Sequence, residues 1–260
     1  MSASAIEVAD LGVVPYGDAL ELQSRLRELR LAGETGDLLL LLQHPPVYTR
    51  GRRSDPSELP LGEERYRERG IDVVAVRRGG RVTYHGPGQL VAYPVLATRD
   101  VPALVAALEA AMVAVAREHG VDAHGRSDEA IELTGAWTAD GRKLGAVGLH
   151  VSRGVTTHGL ALNLVTDLRP FGWIVPCGLT APVSSLARER GAPDLADDPG
   201  LDHEPLVRAA GATLATALGA TLERPLRSVP AAEAWRRAGL EPVRVPSAVP
   251  RWAAGDAPAT

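Results

Sequence analysis

The spacing of apolar residues changes several times along the chain, and each change predicts a different element. After a short apolar start from Ile6 to Val8, residues 16–32 place Leu20, Leu26, Leu29 and Leu31 on one side of a helix, with Glu and Arg between them and Gly33 as its stop. Leu38 to Leu42 is apolar throughout and runs into Gln43-His44-Pro45-Pro46. A run this short, closed by prolines, predicts a buried strand entering a rigid turn. Residues 62–69 are charged and read as a helix, and the β-branched run from Ile71 to Val76 reads as a second strand. Then come the loop Arg77-Arg78-Gly79-Gly80-Arg81, the turn-rich segment Thr83-Tyr84-His85-Gly86-Pro87-Gly88-Gln89, and a strand from Leu90 to Val95.

Residues 102–119 predict a helix, with Pro102 in its first turn, Leu104, Val105, Leu108, Met112 and Val115 on one stripe, and Gly120 at its end. The middle of the chain switches to period two. Ile131 to Leu133, Lys143 to Val151 and Val155 to Leu164 read as consecutive strands, the last two joined in a hairpin at Ser152-Arg153-Gly154. Residues 184–190 and 203–218 read as helices. Past residue 225 Pro, Ala and Arg dominate with little periodicity; Trp235 and Trp252 are the residues that would dock this part, and the last dozen residues are expected to be mobile. The pattern predicts an α/β (α+β) fold, a single domain with a mixed β-sheet flanked by helices over 1–225, followed by a partly mobile extension over 226–260.

Composition removes several function classes. In 260 residues Lys143 is the only lysine among 28 basic residues, and Cys177 is the only cysteine. One thiol cannot make an intramolecular disulfide, a multi-cysteine zinc site or a CxxC redox pair. A net charge of −4 and a pI near 6.0 give no basic field for long nucleic acid. No apolar stretch is long enough to span a membrane, and the N-terminus lacks a basic-then-apolar leader, so a cytoplasmic protein with no membrane or nucleic-acid partner is expected. The abundance of Ala, Arg, Leu and Gly suggests a bias that replaces lysine by arginine, but a bias does not explain why one lysine remains at 143.

Four features carry candidate chemistry. Cys177 lies between Pro176, which restricts φ, and Gly178, which lacks bulk, so the sulfur can be presented to a cavity; on composition alone a lone cysteine beside Ile174 and Val175 reads more readily as a buried small hydrophobe. Lys143 is the one basic side chain here, histidine aside, that can give up its proton when desolvated, and it precedes a strand of small residues (Gly145, Ala146, Gly148); the alternative is a solvated lysine after the Asp140-Gly141 turn. The glycines of Arg77 to Gln89 let backbone amides approach a ligand or an oxyanion, or else form a tight turn. On the strand carrying His158, Gly159, Ala161 and Asn163 share one face, thin enough to take an apolar ligand or another strand. His44, His85, His158 and Cys177 lack the local spacing of zinc ligands, and no metal site is expected.

Taken in order, the segments Gln43 to Gly51, Arg78 to Leu90, Gly141 to Gly148, Thr157 to Asn163 and Pro176-Cys177-Gly178 closely resemble the lipoyl(octanoyl) transferase family, the octanoyl-acyl-carrier-protein:protein N-octanoyltransferases of lipoate biosynthesis. The resemblance covers about residues 10–220. It implies the fold shared by the catalytic domains of lipoate and biotin protein ligases, and it makes 1–225 a catalytic domain. It places the family's catalytic pair on Cys177 and Lys143, and its substrate contacts on Arg78, Gly79, Gly80, Arg81, Val82, Thr83, Tyr84 and His85, on Ala146, Val147 and Gly148, and on Gly159, Leu160 and Ala161. It implies no cofactor. The implied donor is octanoyl-acyl carrier protein, and the implied acceptors are the lipoyl domains of 2-oxoacid dehydrogenase E2 subunits and the glycine cleavage H protein.

On that resemblance Lys143 takes the proton of Cys177, the thiolate attacks the octanoyl thioester, and the acyl-enzyme passes its octanoyl group to a lysine amine without ATP. Backbone amides near Gly79, Gly80 or Cys177 are candidates for an oxyanion hole, and Arg50, Arg52, Arg53, Arg77, Arg78 and Arg81 for attracting acidic partners. The rival expectations are an ATP-dependent lipoate protein ligase, a cysteine thioesterase, and a non-catalytic module that binds lipoyl domains or carrier protein.

Overall fold

The protein was analysed as a computed structural model, which describes residues 4–175, 181–250 and 252. Along these residues the elements are β1 (Ile6–Val13), α1 (Tyr16–Ala32), β2 (Asp37–Gln43), β3 (Val47–Arg50), α2 (Glu63–Glu68), β4 (Asp72–Ala75), β5 (Val82–His85), β6 (Gln89–Val95), α3 (Val101–Glu118), β7 (Ala123–Gly125), β8 (Gly135–Thr138), β9 (Lys143–Ser152), β10 (Val155–Asn163), α4 (Leu186–Glu189), α5 (Glu204–Thr221), β11 (Leu226–Ser228) and α6 (Ala231–Arg237). Eight strands form one sheet in the order β11-β1-β2-β6-β10-β9-β8-β7, and β4-β3-β5 form a second. The first is mixed, parallel where β1 meets β2 and β11 and antiparallel from β2 to β7.

The continuous apolar run of β2 follows from its place in the middle of the large sheet. Leu39 and Leu41 face a layer containing Leu108 and Met112 of α3 and Leu214 and Leu218 of α5. Leu38, Leu40 and Leu42 face the other layer, with Leu22 and Leu26 of α1 and Trp235 of α6. A strand covered by helices on both faces has no polar side to show. The helix bounds follow their punctuation: Gly33 closes α1, and the Asp100 side chain caps α3 by accepting from the Ala103 N–H at 2.9 Å.

The small sheet hangs from the large one by two short connections, Gln43-His44-Pro45-Pro46 and His85-Gly86-Pro87-Gly88-Gln89. Its apolar centre of Tyr48, Tyr66, Ile71, Val82 and Tyr84 packs on Trp173, Ile174 and Trp252. The expected mixed sheet flanked by helices is therefore present.

Two local expectations change and a third holds. Ile131–Leu133 is a 3-10 turn rather than a strand: among the described residues no strand pairs with it, Ile131 is 73% exposed, and Glu132 pairs with Arg53 at 2.7 Å. The neighbouring strand is β8, one step later. Within the turn-rich segment, Val82–His85 is a strand paired with β3. Past residue 225, β11 joins the large sheet beside β1, Trp235 enters the core, and Trp252 meets Trp173 edge-on at 5.3 Å, so both tryptophans dock. The expectation of a mobile end falls largely on residues 251 and 253–260, outside the described residues.

Candidate active site

Lys143 begins β9, and its main chain is clamped. Its N–H donates to the Pro182 carbonyl at 2.9 Å, and its carbonyl accepts from the Ser184 N–H at 2.9 Å. One residue earlier, Arg142 forms a two-pronged pair with Glu189 at 2.8 and 2.6 Å, and the Ser184 hydroxyl donates to the same carboxylate. The Lys143 ammonium lies 4.9 Å from the centre of the Trp137 ring. Trp137 is itself buried and fixed, its indole N–H donating to the Leu133 carbonyl at 2.6 Å. A cation over an indole face is stabilised by about 1 kcal/mol when part-buried.

Beside Lys143 a cleft, partly open to solvent, lies between the two sheets. Its floor is the facing pair Ala146 and Ala161, on neighbouring strands. Thr83, Phe171 and Val183 wall it, and Gln89 and Asn163 supply amides at one end. Small side chains on adjacent strands make a low floor, so the cleft is mostly apolar, and Lys143 is the one charged group among the described residues that line it.

The residues implied by the resemblance divide by strand face. Thr83, Ala146 and Ala161 line the cleft. Val147 and Leu160 face the layer of α3, because alternate residues of a strand point oppositely. Gly148 lies beneath the Arg78 side chain and the Gly79 carbonyl, each 3.4 Å from where a Cβ would be. Gly159 has a packing reason to be glycine: His158 before it has φ 57°, and a Cβ on Gly159 would sit 2.0 Å from the Ala92 carbonyl oxygen. Val82 and Tyr84 are buried in the small sheet's core.

Arg78 is buried, giving Nε and Nη2 to the Thr49 hydroxyl at 3.1 and 2.7 Å and Nη1 to the Gly79 carbonyl at 2.9 Å. The Gly79 N–H donates to the Leu149 carbonyl at 3.1 Å, which engages one of the amides considered for an oxyanion hole. Arg81 and the Val82 N–H both bond to the buried Glu58 carboxylate, at 2.6 and 3.1 Å, while the Glu58 carbonyl accepts from Val175 at 3.0 Å. Cys177 lies outside the described residues; shortly before it the Val175 N–H donates to the Glu58 carbonyl, and shortly after it the Pro182 carbonyl accepts from Lys143.

Three buried histidines gather where the two sheets join. The His44 Nδ1–H donates to the Val14 carbonyl at 2.7 Å, which leaves Nε2 to accept from the Tyr93 hydroxyl at 2.6 Å and neither nitrogen for a metal. The His85 Nδ1–H donates to Gln89 Oε1 at 2.7 Å, and the Gln89 amide donates to Asn163 Oδ1 at 2.9 Å. Asn163 in turn donates to the Ser184 carbonyl at 3.0 Å. Burial pushes His44 down to about 4 and, with Arg78 adding to it, His158 to about 3; burial, then His44 and Arg78, hold His85 well below the usual range.

A histidine depressed in the folded state takes up its proton only on unfolding, so the stability it confers is present above pH 6.5 and lost as pH falls toward the folded value. Between pH 7.5 and 5 this removes about 2 kcal/mol for each of His44 and His158. Urea unfolding at the two pH values should show the loss; equal stability would mean these rings titrate normally.

The architecture is that of the lipoate protein ligases. The bi-partite lipoate protein ligase from Thermoplasma acidophilum superposes with a TM-score of 0.60 at 17% identity, covering 92% of this chain and 91% of that one. Residues 15–199 match the family model described as the lipoyl protein ligase A/B catalytic domain. The octanoyltransferase of Solibacter usitatus is 48% identical over 181 residues, 68% of this chain and 80% of that protein. An octanoyltransferase of Mycobacterium sp. (strain KMS) is 47% identical over 197 residues, 73% and 79% of the two chains. The chain belongs to the lipoyl protein ligase A/B catalytic domain family.

Proposed function

We propose that this protein is an octanoyltransferase that moves an octanoyl group from octanoyl-acyl carrier protein to the lysine amine of a lipoyl domain, in the cytoplasm, through Cys177 and Lys143. The observation that carries the reading is Lys143 at the rim of an apolar cleft, its backbone bonded to the chain just beyond Cys177, in a sequence 48% identical to an octanoyltransferase. In the first half-reaction Lys143 accepts the thiol proton and the thiolate attacks the thioester carbonyl. The carrier's thiolate leaves and takes that proton back, and Cys177 holds the acyl group as a thioester. In the second half-reaction the acceptor amine attacks, Lys143 removes a proton from the nitrogen, and Cys177 departs and is reprotonated. Thioester exchange is nearly isoenergetic and amide formation is downhill, so no nucleotide is consumed. The Trp137 ring stabilises the ammonium that each proton transfer creates. The acceptors are the lipoyl domains of 2-oxoacid dehydrogenase E2 subunits and the glycine cleavage H protein.

The test is transfer from octanoyl-acyl carrier protein to a lipoyl domain with and without ATP. Product in the absence of ATP is expected; strict ATP dependence with free octanoate would make the protein a ligase, and octanoate release without acceptor a thioesterase. The acyl chain lies on Ala146 and Ala161, so Ala161→Phe fills the cleft and should raise KM for the octanoyl donor about tenfold or more. An unchanged KM with folding preserved would put the acyl chain elsewhere.

A further inference from the structure

Six arginines flank the glycine loops, and the fold divides them. Arg50 pairs with Glu63 at 3.0 Å, Arg53 with Glu132 at 2.7 Å, and Arg81 with Glu58 at 2.6 Å, while Arg78 is buried. Arg52 and Arg77 remain exposed and, among the described residues, form no salt bridge. Backbone bonds bring them to one place: the Arg52 N–H donates to the Arg78 carbonyl, and the Gly79 N–H to the Leu149 carbonyl next to His150. Arg27, on α1, is tied to the end of β9 through Glu28, which it shares with Arg153 of the β9–β10 turn, and its charge with those of Arg52 and Arg77 reinforces the depression that burial imposes on His150. Among the described residues, the carboxylates paired beside the patch are Glu28 and, through Arg53, Glu132.

The position of this patch discriminates between the two acidic proteins the reaction needs. His150 is seven residues from Lys143 along β9, about 23 Å at the rise of an extended strand. An acceptor lysine reaches only four methylenes from its own backbone, so an acceptor domain must sit directly at the chemistry. A carrier protein instead presents its thioester on a phosphopantetheine arm, whose pantoate, β-alanine and cysteamine units extend to about 16 Å between phosphate and sulfur, and the long arginine side chains of the patch reach toward the phosphate over the remainder. Between the patch and the cleft, on the face of β9 shared by Ala146 and Gly148, the Arg78 side chain and the Gly79 carbonyl cover Gly148, so the arm passes over the outside of this loop, where Gly79 and Gly80 add no side chain.

We propose that Arg27, Arg52 and Arg77 around His150 are the docking surface for the acyl-donor protein, receiving the arm's phosphate and the acidic surface around it. This rests on the octanoyl-transfer reading above. It is tested by comparing Arg52→Glu/Arg77→Glu with the wild-type protein on two donors, octanoyl-acyl carrier protein and uncharged octanoyl-pantetheine, with the acceptor KM measured alongside. The double variant should raise KM for the protein donor about tenfold and flatten its salt dependence, leaving octanoyl-pantetheine and acceptor unchanged. An unchanged donor KM, an equal loss with both donors, or a raised acceptor KM instead would overturn it. Arg52→Gln/Arg77→Gln, checked by thermal melting, provides the same comparison if charge reversal impairs folding. A wild-type protein that transfers octanoate from neither donor fails at the earlier step, the octanoyl-transfer reading itself.

Discussion

Lys143→Arg should leave the fold and the net charge unchanged and lower kcat for octanoyl transfer by about 10²–10⁴-fold, the range for removing a general base. Guanidinium keeps its proton at any pH the protein survives, so it can pair with a thiolate but cannot receive a proton from the thiol or from the attacking amine. Position 143 tests chemistry cleanly because its backbone is held by Pro182, Ser184 and the Arg142–Glu189 pair, none of which involves the side chain. Trp137 offers its ring to either cation. The informative readouts are kcat in steady state, the rate of acyl-enzyme formation in a single turnover, and thermal melting of the variant. A melting temperature near wild type with both rates depressed locates the defect in proton transfer; near-normal turnover would remove Lys143 from that role.

How much of this was legible in the sequence depends on whether a residue's role is local. The buried strand at Leu38–Leu42, the β9–β10 hairpin and the helices α1, α3 and α5 were readable because each carries its own period or its own punctuation. The strands β7 and β11 span three residues each, too few to display a period, and exist because β8 and β1 offer open edges. In the active site, Lys143 and the small residues Ala146 and Ala161 stand out by rarity or size. The part played by Trp137 has no such signal, since a tryptophan's value there lies in where β8 sets its ring against β9. Glu58 is similar: it lies in a 3-10 turn, yet its carboxylate positions Arg81 and Val82 while its carbonyl holds Val175. The resemblance to octanoyltransferases assigned whole segments to the substrate, and the pleat of the strands then separates Ala146 and Ala161 from Val147 and Leu160.

The two members of the proposed pair depend on different parts of the fold. Lys143 belongs to the large sheet. The segment leading to Cys177 is tied to the small one, through Tyr48 to the Pro170 carbonyl at 2.7 Å, Tyr66 to the Trp173 carbonyl at 2.7 Å, and Glu58 to Val175. The polar chain from His85 through Gln89 and Asn163 to Ser184 crosses between the sheets and ends on the residue bonded to Lys143. Because a buried polar group left without its partner is costly, each member of this chain, one imidazole and two amides, holds its neighbour in place.

Incubating the wild-type protein with octanoyl-acyl carrier protein and no acceptor should add the mass of one octanoyl group, labile to hydroxylamine and located on the peptide bearing Cys177. Because the chain has a single cysteine, a thioester has no other place to form, and alkylation by one equivalent of iodoacetamide should abolish both the adduct and the transfer. Cys177→Ala should show no adduct and lower transfer by at least about 10³-fold, as loss of a nucleophile does in covalent catalysis. Prior exposure to the octanoyl donor should protect the thiol from alkylation, and addition of a lipoyl domain should discharge the adduct to an amide on the acceptor lysine. On the covalent route the order of these events is fixed: the adduct must form before acceptor is added and must be consumed at the rate of product formation. An adduct that forms but turns over more slowly than steady-state transfer is a dead-end species, and a Cys177→Ala variant that still transfers octanoate at the wild-type rate would require direct attack of the acceptor on the carrier's thioester, with Lys143 as the sole base.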